Sequence, residues 1–521
     1  MLNKSCFSLL VLLVLHVFPA FSQVSTNRTA LEAMKKQEVA REKSERRLLL
    51  SAAGLKRWPV QKLTRNGKAT LTGMDASGYP LYVSTGSISR AASSIGTDQL
   101  WAGGTLGLSL SGASGNLKGR IGIWDGGRVN LTHVELRNRV IQKDNPSAAE
   151  DHSTHVSGIL TGAGVNPLAR GMSFGAQQLI AYDYNQHISE MTGEAAGLLI
   201  SNHSYTTIAG WSYNDAEKRW EFYGRYNENE DYKFGFYSEE AQSWDRIAYN
   251  APYYLIVKAA GNNRSENGPN EGEAYFRFNE SKTMASAGNR PPGISSNNGY
   301  DIIPTYGTAK NVLTVGAIEP FSSGYFQPSD AVLTNFSSWG PTDDGRIKPD
   351  IVADGINILS ATAASDNSYA SLSGTSMASP LVAGSVFLLQ EYYAQLHGGS
   401  FMRSATLKGL LIHTALEAGS APGPDYRFGW GVAAVEKAAE VIKSNNTVHL
   451  INEKELSNGS IDQITVIASG KGPLVVTICW TDPEGQVSQG EPLNNRTPKL
   501  VNDLDLRVKT GSTTYFPWKL T

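Results

Sequence analysis

Hydrophobic positions along this 521-residue chain change their spacing repeatedly, and the changes mark out its elements. The most apolar stretch runs through Met377, Leu381, Val382, Val386, Phe387, Leu388 and Leu389. These positions go nearly all the way round a helix, and a helix with no polar face belongs in the middle of a domain. The loop Ser373-Gly374-Thr375 leads into it, so Ser376 stands where a buried helix begins. Unbonded backbone N–H groups and the positive end of the helix dipole lie there, and both favour negative charge. Ala378, Ser379 and Gly384 leave room for close packing. Pro380 is expected in the first turn, where a missing N–H costs little.

Upstream, short apolar runs alternate with helical patterns. Gly119 to Asp125 is an apolar strand ending in an acid and two glycines, Gly126 and Gly127. Asp151-His152-Ser153-Thr154-His155 opens a small-residue helix. Ala176 to Asp183 predicts a strand, Glu190 to Leu198 a helix, and Leu199 to Ser204 another strand. Ser238 caps a helix with Glu239 and Glu240 in its first turn. Tyr254 to Ala260 is a buried strand ending in Gly261-Asn262-Asn263, and Val312 to Ile318 is a further strand. Strands alternating with helices predict an α/β fold with a parallel sheet. In such sheets the functional crevice lies beyond the carboxyl ends of the strands, which is where Asp125 falls.

The remaining segments are less regular. Residues 207–237 form an aromatic and acidic insertion, a solvated surface loop or a substrate-facing flap, and 264–303, rich in Asn, Gly, Ser and Pro, read as a long loop. Residues 23–57 are charged and helical in pattern. Asn66-Gly67 between alternating residues predicts a hairpin over Leu63–Leu71. After a surface helix at Ala434–Lys443, alternation of period two predicts strands at Gln463–Ile467, Leu474–Ile478 and Leu504–Val508.

Composition refines this picture in two respects. A net charge of -2 gives no reason to propose nucleic acid or an anionic membrane surface as partner. Lys4, the apolar run Phe7–Phe18 and the small residues of Ala20-Phe21-Ser22 read as a secretory signal over 1–22. A run this short is no permanent anchor, so no transmembrane segment is expected in the mature chain. No cysteine follows that run, which argues against a lipid-anchored lipoprotein. Cys6 leaves with the signal and Cys479 is the one other cysteine, so no internal disulfide can form. The expected location is secreted, periplasmic or at the cell surface.

Taken singly, each polar position has a plain structural explanation. Ser376 and His152 could be helix caps, Asp125 a turn residue, and Gly-Asn-Asn an ordinary turn. Together they carry more. Ser373-Gly374-Thr375-Ser376-Met377-Ala378-Ser379-Pro380 resembles the nucleophile motif of the subtilisin-like serine peptidases, the subtilases. Gly119 to Gly127 resembles the family's Asp motif. His152-Ser153-Thr154-His155-Val156 resembles its His-Gly-Thr-His-Val motif, with Ser153 in place of glycine. Asn335 to Pro341 and Lys348 to Ala353 also look like family segments, and the resemblance spans about 120 to 440.

The resemblance implies an α/β, subtilisin-like three-layer domain with a central parallel sheet over 96–445. An N-terminal extension or pro-segment would occupy 23–95, and 446–521 would be a C-terminal β-sandwich of the kind found in some secreted bacterial subtilases. That stretch is short against the roughly 100 residues of a typical sandwich, so the domain is expected to be incomplete. The implied roles are a catalytic triad of Asp125, His152 and Ser376, with Asn262 donating to the oxyanion. His155, one turn after His152, would be structural. Ser204, Tyr205 and Gly261 would line the substrate, with Tyr205-Thr206 replacing the usual Leu-Gly. The implied activity is serine endopeptidase action on protein or peptide substrates, with no cofactor for the chemistry. Asp482, Asp503 and Asp505 are the carboxylates that would bind a structural Ca²⁺, although acids at strand ends are more often turn residues. A peptidase-like binding or adhesion module, and a serine exopeptidase or esterase, are the alternatives.

Overall fold

The computed structural model describes residues 44–520 apart from 45, 57, 59, 65–66, 75–79, 86–89, 322–323, 471 and 491. The predicted signal, most of the charged segment before it turns helical at 46–56, and the Arg65-Asn66 turn lie outside the described residues. The chain divides into two compact units, 1–61 with 70–83 and 62–69 with 84–521. In the first, Leu49 and Ala53 of the helix bury against Leu71 beside Trp58. Strands Gln61–Thr64, Gly67–Met74 and Pro80–Thr85 follow the helix along the chain.

The second unit is built on a seven-stranded sheet. Its strands are β1 (Ile121–Asp125), β2 (Val140–Gln142), β3 (Leu179–Asp183), β4 (Ile200–His203), β5 (Leu255–Ala259), β6 (Leu313–Ile318) and β7 (Ile351–Asp354). They lie in the order β7-β6-β5-β4-β1-β3-β2, and every pairing is parallel. Both faces of a parallel sheet are covered, so its strands read as continuous apolar runs. The longer helices are α1 (Asp151–Thr161), α2 (His187–Glu194), α3 (Glu239–Asn250), α4 (Thr375–Leu396), α5 (Ser404–Thr414) and α6 (Val435–Lys443). On one face Ile123, Ile200, Val257 and Val315 pack with Val156, Leu381, Val382 and Val386. On the other, Trp124, Ile180 and Ile256 pack with Ala241, Trp244 and Ala248 of α3. Each such side chain, fully buried, contributes about 1.5–3 kcal/mol. This is the α/β three-layer core expected from the sequence. Ser238 caps α3 as expected, its side chain accepting from Ala241 N.

Two expectations are corrected. The stretches 207–237 and 264–303 are not simply loops. Trp211–Asn214, Arg219–Phe222, Ala274–Phe278 and Met284–Asn289 join into one four-stranded sheet, held because Trp211, Phe222, Tyr275 and Ile294 share a small core of their own. Pro380 lies in the second turn, because α4 begins at Thr375. Its missing N–H therefore leaves the Ser376 carbonyl without a helical donor, and the Ser204 hydroxyl supplies one at 3.0 Å.

The C-terminal stretch does not form a sandwich among the described residues. Gln463–Ile467 and Leu474–Ile478 are not in strands, and one short hairpin joins Val508–Thr510 to Thr513–Tyr515. On the alternating face Ile464 is 48% exposed and Val466 51% exposed, so that face is open to water among the described residues. Residues around Asp482 instead dock on the catalytic layer. Asp482 pairs with Lys310, and its carboxylate also accepts from Val501 N and Asn502 N.

Candidate active site

The carboxyl ends of β1, β4 and β5 and the amino ends of α1 and α4 meet at one edge of the sheet. Asp125 is the last residue of β1 and is 2% exposed. Its Oδ1 accepts from Gly126 N at 2.8 Å and lies 2.6 Å from His152 Nδ1. His152 is the second residue of α1, with its side chain 42% open to solvent. Partial burial disfavours the imidazolium, but the charge and hydrogen bond of Asp125 outweigh it and raise the pKa above the ordinary histidine value. His155 behaves differently. It is fully buried and bonded to the Ala370 carbonyl, and burial holds it down to about 4, a neutral packing residue. Ser153 fits in place of glycine because its hydroxyl donates to the Arg128 and Glu150 carbonyls.

Ser376 is the second residue of α4 and is 9% exposed. It sits in a reciprocal pair with Ser204, its Oγ donating to the Ser204 carbonyl at 3.1 Å while Ser204 Oγ donates back to the Ser376 carbonyl. Asn202 steadies this pair, with Nδ2 donating to Ser204 Oγ and Oδ1 accepting from Ser379 Oγ. Trp124 of β1 is in register with His203 of β4, so Asp125 and Ser204 are cross-strand neighbours, about 4.8 Å apart in the pairing direction. Ser376 is thereby tied to the strand end that neighbours Asp125. Among the described residues no hydrogen bond joins His152 to Ser376; the hydroxyl rests on Ser204 instead, and hydrogen bonds of this kind are often long or misaligned until substrate binds. Ser204→Ala would leave the Ser376 carbonyl a buried acceptor without a donor. Chemical denaturation should record a loss of about 1–3 kcal/mol, and an unchanged midpoint would contradict this account of the Pro380 turn.

Asn262 follows β5 across Ala260 and Gly261. Its Oδ1 accepts from Thr375 N and Thr375 Oγ1, each at 2.9 Å, and this fixes the amide so that Nδ2 points the other way. A Cβ placed on Gly374 would lie 3.2 Å from Asn262 Nδ2 and 3.6 Å from Ser376 N. The bare glycine therefore keeps open a space that two N–H donors face, suited to an oxyanion. Gly261 N donates to Thr375 Oγ1 and so ties the same corner.

Behind the site lies a buried row of rings. Trp124 stacks on Tyr182 and His203 with centroids 5.1 and 5.3 Å away. Tyr205, expected at the substrate edge, turns its hydroxyl inward to His203 Nδ1 at 3.1 Å. Lys258, in register with His203, is fully buried on the Ala259 carbonyl, and burial lowers its pKa to about 7. No sequence motif marks Thr375, Asn202 or Lys258 as functional; the lysine inside the apolar run Leu255–Ala259 is the one visible signal. Asp482 is already committed to Lys310, Asp505 pairs with Arg507, and among the described residues no group of three or more His, Cys, Asp or Glu could hold a metal.

A parallel-sheet α/β core with a serine, a histidine and an acid at its carboxyl edge is the framework of a hydrolase. The chain belongs to the subtilase family, whose model matches residues 121–431. Over 65 residues, 12% of the chain, it is 60% identical to a C5a peptidase of Streptococcus pyogenes, covering 5% of that protein. Over 73% of the chain it is 25% identical to the serine protease/ABC transporter B family protein tagD of Dictyostelium discoideum, covering 26% of it. The chain thus spans a minor part of the length of these relatives. The structure of the Clostridium perfringens CspB protease aligns with a TM-score of 0.48 and 15% identity over 70% of this chain and 99% of that one. Among the described residues no helix is long and apolar enough to cross a membrane.

Proposed function

We propose that this subtilase is an exported serine endopeptidase in which Asp125, His152 and Ser376 act as the triad and Asn262 as oxyanion donor. The observation that carries the proposal is the 2.6 Å contact between His152 Nδ1 and Asp125 Oδ1, which fixes the tautomer and leaves Nε2 as the base. His152 Nε2 takes the hydroxyl proton of Ser376 while Oγ attacks the peptide carbonyl. The carbonyl electrons move onto oxygen, in the space between Asn262 Nδ2 and Ser376 N. The proton passes from His152 to the leaving amine, and water, deprotonated by the same imidazole, then releases the acid product. None of these steps calls for a cofactor. The Ser204–Tyr205 edge and Gly261 would flank the extended substrate. Export is supported by the signal-like pattern of residues 1–22, and a peptide-bond substrate by the family and by the short match to a C5a peptidase.

Only the neutral imidazole can accept the proton, so activity falls as pH drops through the pKa of His152. That pKa is raised, so the inflection of kcat/KM should lie above the ordinary value of about 6.5, with a roughly tenfold loss per pH unit below it. The assay is digestion of a denatured protein across pH, with mapping of the cut sites. Cleavage at internal bonds with that acid limb supports the proposal. Release of terminal residues alone would mark an exopeptidase, and a rate independent of pH would remove His152 as base.

A further inference from the structure

Lys258 lies inside the central sheet, and none of the catalytic steps above uses it. On β5 it is in register with His203 of β4 and Thr314 of β6, and it is fully buried. Its Nζ donates to the Ala259 carbonyl at 2.7 Å, at the carboxyl end of the strand. An ammonium carries three donors, and among the described residues this is its one hydrogen bond. The groups around it are poor counter-charges. Burial keeps His203 neutral, with His187 of α2 adding to the effect. Nζ stands 5.9 Å from the Tyr205 ring, whose phenol burial holds protonated, and Tyr306 lies 5.8 Å beyond that ring. On the other side the Thr314 hydroxyl takes Lys348, and Asp350 holds both Lys348 and Lys408 of α5.

Asp125 has the complementary deficit. Its Oδ1 meets Gly126 N and His152 Nδ1, but Oδ2 is buried with no hydrogen-bond partner among the described residues. Once His152 is neutral, that carboxylate is a buried charge with no cation beside it in the triad, which is costly. Trp124, His203 and Lys258 are in register across β1, β4 and β5. Lys258 therefore stands two strand spacings, about 10 Å, from the residue before Asp125. Asp125 is the charge that favours the Lys258 ammonium against burial. We propose that Lys258 is a positioning residue acting through Asp125, its buried ammonium offsetting the carboxylate whenever His152 is neutral. Lys258 has this role only if the serine peptidase function proposed above holds. The ammonium attracts the carboxylate and repels the imidazolium, so it favours the neutral His152 that accepts the serine proton. Removing it strengthens the hold of Asp125 on the His152 proton, and the acid limb of activity moves to higher pH.

The test is the pH dependence of kcat/KM and of fluorophosphonate labelling in the full chain, for wild type, Lys258→Met, Lys258→Gln and Lys258→Arg. In the two neutral variants the acid limb should move up by about 0.5–1 pH unit, the size expected of one charge at this range in a protein interior. One unit below the wild-type inflection they should then be roughly three- to tenfold slower, with rates converging above the limb. Lys258→Arg keeps the charge, so its limb should stay nearer the wild-type position. The shift should persist as ionic strength rises, because buried charges are screened little. Lys258→Met removes a buried charge, so its denaturation midpoint should equal or exceed that of wild type. A uniform loss of rate with the limb unmoved, or a limb moved down, overturns the role of Lys258 and leaves the peptidase intact. Failure of both neutral variants to fold also overturns it, since the lysine would then hold the sheet together. Wild-type protein that neither labels nor cleaves overturns the peptidase function itself, and the role of Lys258 with it.

Discussion

Replacing Ser376 with alanine should lower kcat by roughly 10⁶-fold, the size of effect found when a subtilisin loses its serine or its histidine. The expectation follows from placement. Ser376 has its backbone N–H at the start of α4 and its hydroxyl on a carbonyl of the neighbouring strand end, so alanine removes the nucleophile and disturbs little else. The loss of one hydrogen bond to Ser204 is small on this scale, about 1 kcal/mol. Substrate binding should persist, so KM should change far less than kcat. His152→Ala should cost about as much, and the double variant no more than either, because base and nucleophile work as a unit. Comparable activity in the Ser376→Ala protein would assign the chemistry to another residue.

Asn262→Ala is expected to lower kcat by about 10²- to 10³-fold, or roughly 3–4 kcal/mol in the barrier, with a smaller change in KM. Its Nδ2 faces the space beside Gly374, where charge develops only as the carbonyl is attacked, so the interaction is stronger in the transition state than in the ground state. Asn262 also holds Thr375 through Oδ1, and losing that contact could move the start of α4. Thr375→Val separates the two effects. It removes the hydroxyl donor to Asn262 but keeps the amide and both oxyanion donors, so its loss in kcat should be well below that of Asn262→Ala. Equal losses would mean that Asn262 acts by positioning α4 and not by donating to substrate.

What could be read from the sequence was whatever depended on neighbours along the chain. The run Leu255–Ala259 is apolar at every position but one and is closed by Gly261, so a buried strand pointing at Asn262 was evident before any coordinates. The all-apolar face of α4 likewise gave the central layer and placed Ser376 at its start. The four-stranded sheet was not evident. Met284–Asn289 has no hydrophobic period and is largely exposed, and its pairing with Ala274–Phe278 depends on a small core shared with Trp211 and Phe222, far away in sequence. In the C-terminal stretch period-two alternation shows which face of a strand is apolar and not which partner covers it. The position of Pro380 turned on a single residue, the start of α4 at Thr375, and helix boundaries are the least legible feature of a pattern. In the site, the types of Asp125, His152, Ser376 and Asn262 were legible from motifs. The Ser204–Ser376 exchange and the amide orientation set by Thr375 were not, since both join segments distant in sequence.

The proposed mechanism requires one hydroxyl to be made unusually nucleophilic by an imidazole that is remote along the chain. Exposure of the purified protein to a fluorophosphonate across pH, with the adduct located by peptide mass, tests that most directly. A single adduct on Ser376, forming faster as His152 loses its proton and not forming in His152→Ala, is the predicted result. An adduct on another serine, or none in protein shown to be folded, would contradict it.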